Sequence, residues 1–143
     1  MRQATVRFYL DADILGLAKL LTKLRPDMTY PSDPGGIVHK QIRPPCPITD
    51  VATKDGVWIP ECSRQGWLII TRDSRIQSHT VEMDAVRTFK ARMIALASAD
   101  AKTTWDQLEV FMIQWRAIER CLQQDGPFIY SATRTTMKSI QLR

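Results

Sequence analysis

Apolar residues in this chain come in two kinds of run. Some are short, unbroken and end abruptly in acids; others recur at helical spacing. Trp67-Leu68-Ile69-Ile70 has no helical periodicity, follows Gly66, and passes directly into Thr71-Arg72-Asp73-Ser74. That pattern predicts a short strand buried on both faces, as in parallel sheets. Residues 5–10, Thr-Val-Arg-Phe-Tyr-Leu, are β-branched and aromatic and run straight into Asp11-Ala12-Asp13, a second strand ending in acids. Behind it, Ile14, Leu15, Leu17, Ala18, Leu20, Leu21 and Leu24 recur at helical spacing. Arg25-Pro26 ends that helix, because the residue before proline is pushed out of the helical region.

Residues 28–50 hold five prolines and Gly35-Gly36, and predict a loop-rich crossover around one short strand near Gly36-Ile37-Val38-His39. A second helix is predicted from Thr53, with Val57, Trp58, Ile59 and Cys62 turned inward and Gly66 ending it. Pro60 leaves open whether this is one helix or a turn followed by a restart. A third helix carries Val81, Met83, Ala85, Val86 and Phe89, and residues 92–97 predict another strand. The longest helix follows, capped by Thr103 or Thr104, with Leu108, Phe111, Met112, Trp115, Ile118 and Leu122 as its apolar stripe. Gly126-Pro127 closes it, and residues 128–131 and 137–142 predict closing strands. Alternation of strands and helices implies an α/β fold in three layers: a mostly parallel central sheet covered on both faces. The length of 143 residues fits a single domain spanning 1–143.

Composition narrows the function classes. With 44% hydrophobic and 24% charged residues the chain reads as globular rather than disordered or fibrous. The start, Met-Arg-Gln, enters a strand pattern without a signal-peptide core, and no apolar stretch reaches membrane-spanning length, so a cytoplasmic location without membrane association is expected. Cys46, Cys62 and Cys121 are widely spaced and odd in number, and only His39 and His79 accompany them. Buried free thiols are expected rather than disulfides or a zinc site. The net charge is +5. If several acids gather in one cluster, the remaining surface is more basic still, which suits a polyanion such as nucleic acid. Gly35-Gly36 is no phosphate loop, since neither G-x-x-x-x-G-K-S/T nor G-x-G-x-x-G surrounds it.

In an open α/β sheet, ligands bind outside the carboxyl ends of the strands, since helices cover the faces. Asp11, Asp13 and Asp73 follow two strands at such ends, so one sheet edge can gather them. Helix capping accounts for Asp11 or Asp13 but not readily for both. Asp55 opens a helix, where it either caps or points an acid into the same cleft. Arg72 and Arg75 flank Asp73 and are candidates to hold phosphates, although lone arginines commonly pair with nearby acids.

Phe8-Tyr9-Leu10-Asp11-Ala12-Asp13, then Asp55 leading a helix, then Gly66-Trp67-Leu68-Ile69-Ile70-Thr71-Arg72-Asp73 resembles the acid pattern of PIN-like domains, the nuclease fold of VapC-type toxins. Asp55 and Asp73 are 18 positions apart (73 − 55), similar to compact PIN-like proteins in which a helix bearing one acid feeds a strand ending in T-x-D. Gly126-Pro127-Phe128-Ile129 also resembles the closing strand of a compact subgroup. The family's usual second acid, commonly a glutamate on an early helix, has no counterpart before Asp50; Asp13, Glu61 and Glu82 are the candidates to replace it.

The resemblance implies a metal-dependent ribonuclease cleaving single-stranded or structured RNA, the toxin of a toxin–antitoxin pair, with RNA and a cognate antitoxin as partners. Asp11, Asp55 and Asp73 would hold Mg²⁺ or Mn²⁺, with Asp13 and Glu82 as further ligands and Thr71 orienting Asp73 or a water. Such ions prefer hard oxygen donors and keep several waters. The metal then activates water for attack on phosphorus. Crowded carboxylates without a cation should raise at least one pKa. Two other readings stand beside this one. One is a non-catalytic RNA- or protein-binding PIN-like module. The other is a haloacid-dehalogenase-type phosphatase using Asp11 and Asp13, which lacks the later acidic pair and positioned lysine it needs. The stripe on the longest helix is core or a homodimer surface.

Overall fold

The computed structural model describes residues 1–72 and 80–142. In chain order the elements are β1 (Arg2–Gln3), β2 (Phe8–Leu10), a 3-10 turn (Ala12–Ile14), α1 (Leu15–Leu24), β3 (Met28–Thr29), β4 (Gly36–Val38) and β5 (Gln41–Arg43). Then come α2 (Asp55–Gln65), β6 (Leu68–Arg72), α3 (Thr80–Phe89), β7 (Arg92–Leu96), α4 (Thr104–Ile113), α5 (Trp115–Cys121), β8 (Phe128–Ala132) and β9 (Met137–Ile140). Among the described residues, six strands form the central sheet in the order β3-β2-β6-β7-β8-β9. All pairings are parallel except β8 with β9.

The unbroken apolar runs become the centre of this sheet, because a parallel strand with helices on both sides has no wet face. Phe8, Tyr9 and Leu10 pair in register with Leu68, Ile69 and Ile70, and all six are buried. Alternate side chains then serve two cores. Phe8, Leu10, Leu68, Ile70, Ile94 and Leu96 face Ile14, Leu17 and Leu21 of the first helical segment and Val110, Phe111 and Ile118 of α4 and α5. Tyr9, Ile69, Met93 and Ile129 face Trp58, Ile59 and Cys62 of α2 and Ala85 and Val86 of α3. This is the expected three-layer α/β sandwich.

Several local expectations hold. Arg25 is extended after α1, and Gly66 ends α2 in the left-handed region at φ 77°, which a residue without Cβ adopts at no steric cost. Thr103 caps α4, its hydroxyl accepting from the Asp106 amide at 3.1 Å. All three cysteines are free and buried. No helix among the described residues is long and apolar enough to cross a membrane.

Other expectations are corrected. The first strand is shorter than 5–10, since the Arg7 and Phe8 amides both turn to the Asp27 carbonyl and pin the strand start to the neighbouring loop. Pro60 does not interrupt α2, which is one helix. The carbonyl that Pro60 leaves without an amide belongs to Gly56, which is exposed and open to water. The helix expected to run through residues 104–122 is instead two, broken at Gln114, whose side-chain amide donates to the Thr133 and Thr136 carbonyls at 2.8 and 3.2 Å. The break sets Trp115 against Phe8 and Phe111, each at 5.5 Å between ring centroids, with the Arg25 guanidinium 4.4 Å over it. Met112, assigned to the apolar stripe, is 61% exposed. The strand near Gly36 exists, but in a separate three-stranded sheet, β1-β5-β4. β3, inside the supposed loop, extends the central sheet instead.

Candidate functional site

Topology decides where a cleft can form. From β2 the chain passes through α1 to β3 on one side, and β6 lies on the other side of β2. α1 packs on one face of the sheet, and α2 and α3 on the opposite face. The carboxyl ends of β2 and β6 therefore flank a switch point, the crevice in which open α/β sheets bind ligands.

Asp11 stands at that point. Its amide still belongs to the sheet, donating to the Ile70 carbonyl at 2.9 Å, while its carboxylate caps the 3-10 turn by accepting from the Ala12 amide at 2.6 Å. Asp13, exposed on the same turn, accepts from the Thr71 hydroxyl at 2.9 Å and the Arg72 amide at 3.1 Å. Thr71 is buried, and its hydroxyl also lies 3.3 Å from Asp11 Oδ2. One hydroxyl at the end of β6 thus bridges two carboxylates at the end of β2. Capping explains Asp11; it does not explain Asp13, which reaches across to the next strand.

The Asp11 carboxyl is pushed up to about 7, by burial above all and then by the negative charge of Asp13, with Asp55 adding to it. The Ala12 amide and Thr71 hydroxyl act in the opposite direction without reversing the shift. Asp55, the first residue of α2, accepts from the Trp58 indole N–H at 3.0 Å. Asp13 and, more weakly, Asp55 therefore both act electrostatically on Asp11.

The other expected site residues fall as follows. Arg72 lies at the end of β6, half-buried, and its Nε is buried with no hydrogen-bond partner among the described residues. Asp73 and Arg75 lie outside the described residues. Glu82 is buried in the first turn of α3. Glu61 is engaged within α2 by Arg64 and by Gln65 at 2.9 Å, which holds its carboxyl below the usual range. Of the three candidates for the missing second acid, Asp13 is the one tied to Asp11 through Thr71.

Sequence reasoning missed two features. The Trp58 indole bond to Asp55 was legible only as a spacing of three on a helix. Asp100, Asp106 and Glu109, near the carboxyl ends of β7 and β8, gather on Arg134. That second acidic group is thereby held together by one arginine, which offsets part of its charge.

No three His, Cys, Asp or Glu side chains among the described residues form a ready metal cage. The donors present nonetheless fit a hard divalent cation of the Mg²⁺ type, which is held by one or two carboxylates and keeps most of its waters. Burial and then the charge of Asp13 raise the Asp11 carboxyl, and a nearby cation would offset both.

Residues 6–98 match the family described as PIN like domain. The match covers more than half of the chain and spans β2 through β7 with the whole acid group, and the protein belongs to that family. No curated protein and no solved structure matches the chain. Family membership supports a nucleic-acid-directed role and, at the coarsest level, a hydrolase.

Proposed function

We propose that the protein is a Mg²⁺- or Mn²⁺-dependent endoribonuclease whose site is the switch-point edge of the sheet. The observation that carries this reading is the convergence of Asp11 and Asp13 on Thr71, with Asp55 close enough to act on Asp11. Asp11, Asp13 and Asp55 would hold the metal together with Asp73, which follows Arg72 directly. When bound, the cation supplies Lewis acidity toward the phosphodiester and the attacking water. Thr71 holds Asp13 in place and limits the movement of Asp11. The Arg72 guanidinium is a donor for a phosphate oxygen, and its buried Nε is a group in need of an acceptor. A bound cation would hold Asp11 ionised, and its carboxylate would then be available to accept a proton from water.

The VapC-like arrangement of Asp55 and the Thr71-Arg72-Asp73 stretch supports a role as the toxin of a toxin–antitoxin pair, with RNA as substrate, an antitoxin protein as partner and the cytoplasm as site of action. A second reading, an RNA-binding module without cleavage, draws on the departure from the family's usual second acid, which has no counterpart before Asp50. Incubating a mixed RNA pool with Mn²⁺ or Mg²⁺ separates the two. Metal-dependent cutting that disappears in Asp11→Asn and Asp73→Asn supports the nuclease. RNA binding that survives both substitutions, without cutting by the wild type, supports the module.

A further inference from the structure

We propose that Trp58 is a positioning residue, holding the Asp55 carboxylate at a fixed place relative to Asp11. This deepens the metal-site reading above and rests on it. Asp55 has a poorly constrained start: it is the first residue of α2, and Lys54 before it provides no side-chain cap. An aspartate there can turn toward the free amides of the first helical turn or out to water. In the structure it does neither with Oδ1, which accepts the Trp58 indole N–H at 3.0 Å.

Trp58 itself has little freedom. It is buried, and its ring stacks on Tyr9 with centroids 5.4 Å apart and planes 25° apart. Tyr9 is also stacked with Trp67, at 6.1 Å and 3°. Tyr9 lies on β2, two residues before Asp11. The strand that delivers Asp11 therefore carries the ring against which Trp58 is set, and Trp58 in turn holds Asp55. Two acids from distant parts of the sequence are referenced to one aromatic stack. A buried indole N–H needs some acceptor, but a carboxylate that acts on Asp11 is a specific one. Partners of metal-binding carboxylates typically change metal affinity by 10–100-fold when removed.

The wild-type protein allows a direct test, since it has only four tryptophans to distinguish. In an indole N–H correlation spectrum at pH 8, Mg²⁺ titration should move the Trp58 signal with the same midpoint as the Asp11 and Ala12 backbone amides. The Trp105 and Trp115 indoles should stay in place. In parallel, Trp58→Phe, which keeps a stacked ring and removes the donor, should weaken Mn²⁺ binding about 10-fold, while a change at the exposed Trp105, Trp105→Phe, leaves it unchanged. Mg²⁺ binding that leaves the Trp58 indole unmoved, or equal Mn²⁺ affinity in a folded Trp58→Phe, overturns the positioning role and leaves the metal site standing. A folded wild type that binds neither ion overturns both.

Discussion

Thr71 Oγ1 lies 2.9 Å from Asp13 Oδ2 and 3.3 Å from Asp11 Oδ2, so a single buried hydroxyl joins the end of β6 to both acids that follow β2. The hydroxyl has one proton to share, and the shorter contact makes Asp13 its main acceptor with Asp11 the weaker one. Thr71→Val keeps the shape of the strand residue and removes this donor. It is expected to cost about 1–2 kcal/mol of stability at pH 8, measured by urea unfolding, and to weaken Mn²⁺ binding about 10-fold. Thr71→Ser, which keeps the hydroxyl, should recover most of the metal affinity.

Asp11 sets a pH dependence whose direction follows from its raised pKa. Its carboxyl ordinarily titrates at 3.8 but in the fold near 7, so between those values the folded state holds the proton more tightly than the unfolded one. Stability should therefore fall as pH rises across that window. Asp11→Asn keeps the cap on the Ala12 amide and cannot ionise, so it should be more stable than the wild type at pH 8, by up to about 3 kcal/mol. At pH 4 the two should melt nearly together. Thermal unfolding of both at the two pH values checks this, and a site that is less stable when neutral would reverse the order at pH 8.

The buried pair Asp33–Arg43 is structural and makes a contrasting case. Asp33 is 2% exposed and Arg43 5%. Asp33 also accepts from Thr29 at 2.9 Å and from the Gly35 amide at 2.8 Å. Asp33→Ala strands a buried guanidinium, whose Nε already has no hydrogen-bond partner among the described residues, and should cost about 3–5 kcal/mol. Replacing both partners with apolar residues should cost less than the single change, while leaving Mn²⁺ affinity unaltered. A double-variant cycle in urea measures it.

Much of the site was legible because its parts are local. A two-sided buried strand must read as an unbroken apolar run, and Leu68–Arg72 does. The acid after such a strand must lie on the edge, which located Asp11. Gly66 marked the end of α2 because the left-handed turn there favours glycine. The sequence marks Asp13 as an acid after a strand, but only the tertiary pairing of β2 with β6 shows that Thr71 holds it. Gln114 could not be recognised as a helix break, since its side chain is drawn by carbonyls of Thr133 and Thr136 far along the chain. β3 was invisible because two residues carry no period, and Met28 and Thr29 become strand only through their pairing with Phe8 and Tyr9. The Trp58–Asp55 bond depended likewise on Tyr9, a residue from another element.

Titrating Mn²⁺ into metal-free protein at pH 8, followed by the electron paramagnetic resonance signal of the free ion, is the most direct measurement of the site. One saturable site is expected in the wild type, weakening as the pH falls below about 7 with protonation of Asp11 and lost in Asp11→Asn. Undiminished Mn²⁺ binding in folded Asp11→Asn, or none in folded wild type, would contradict a metal centre at the ends of β2 and β6.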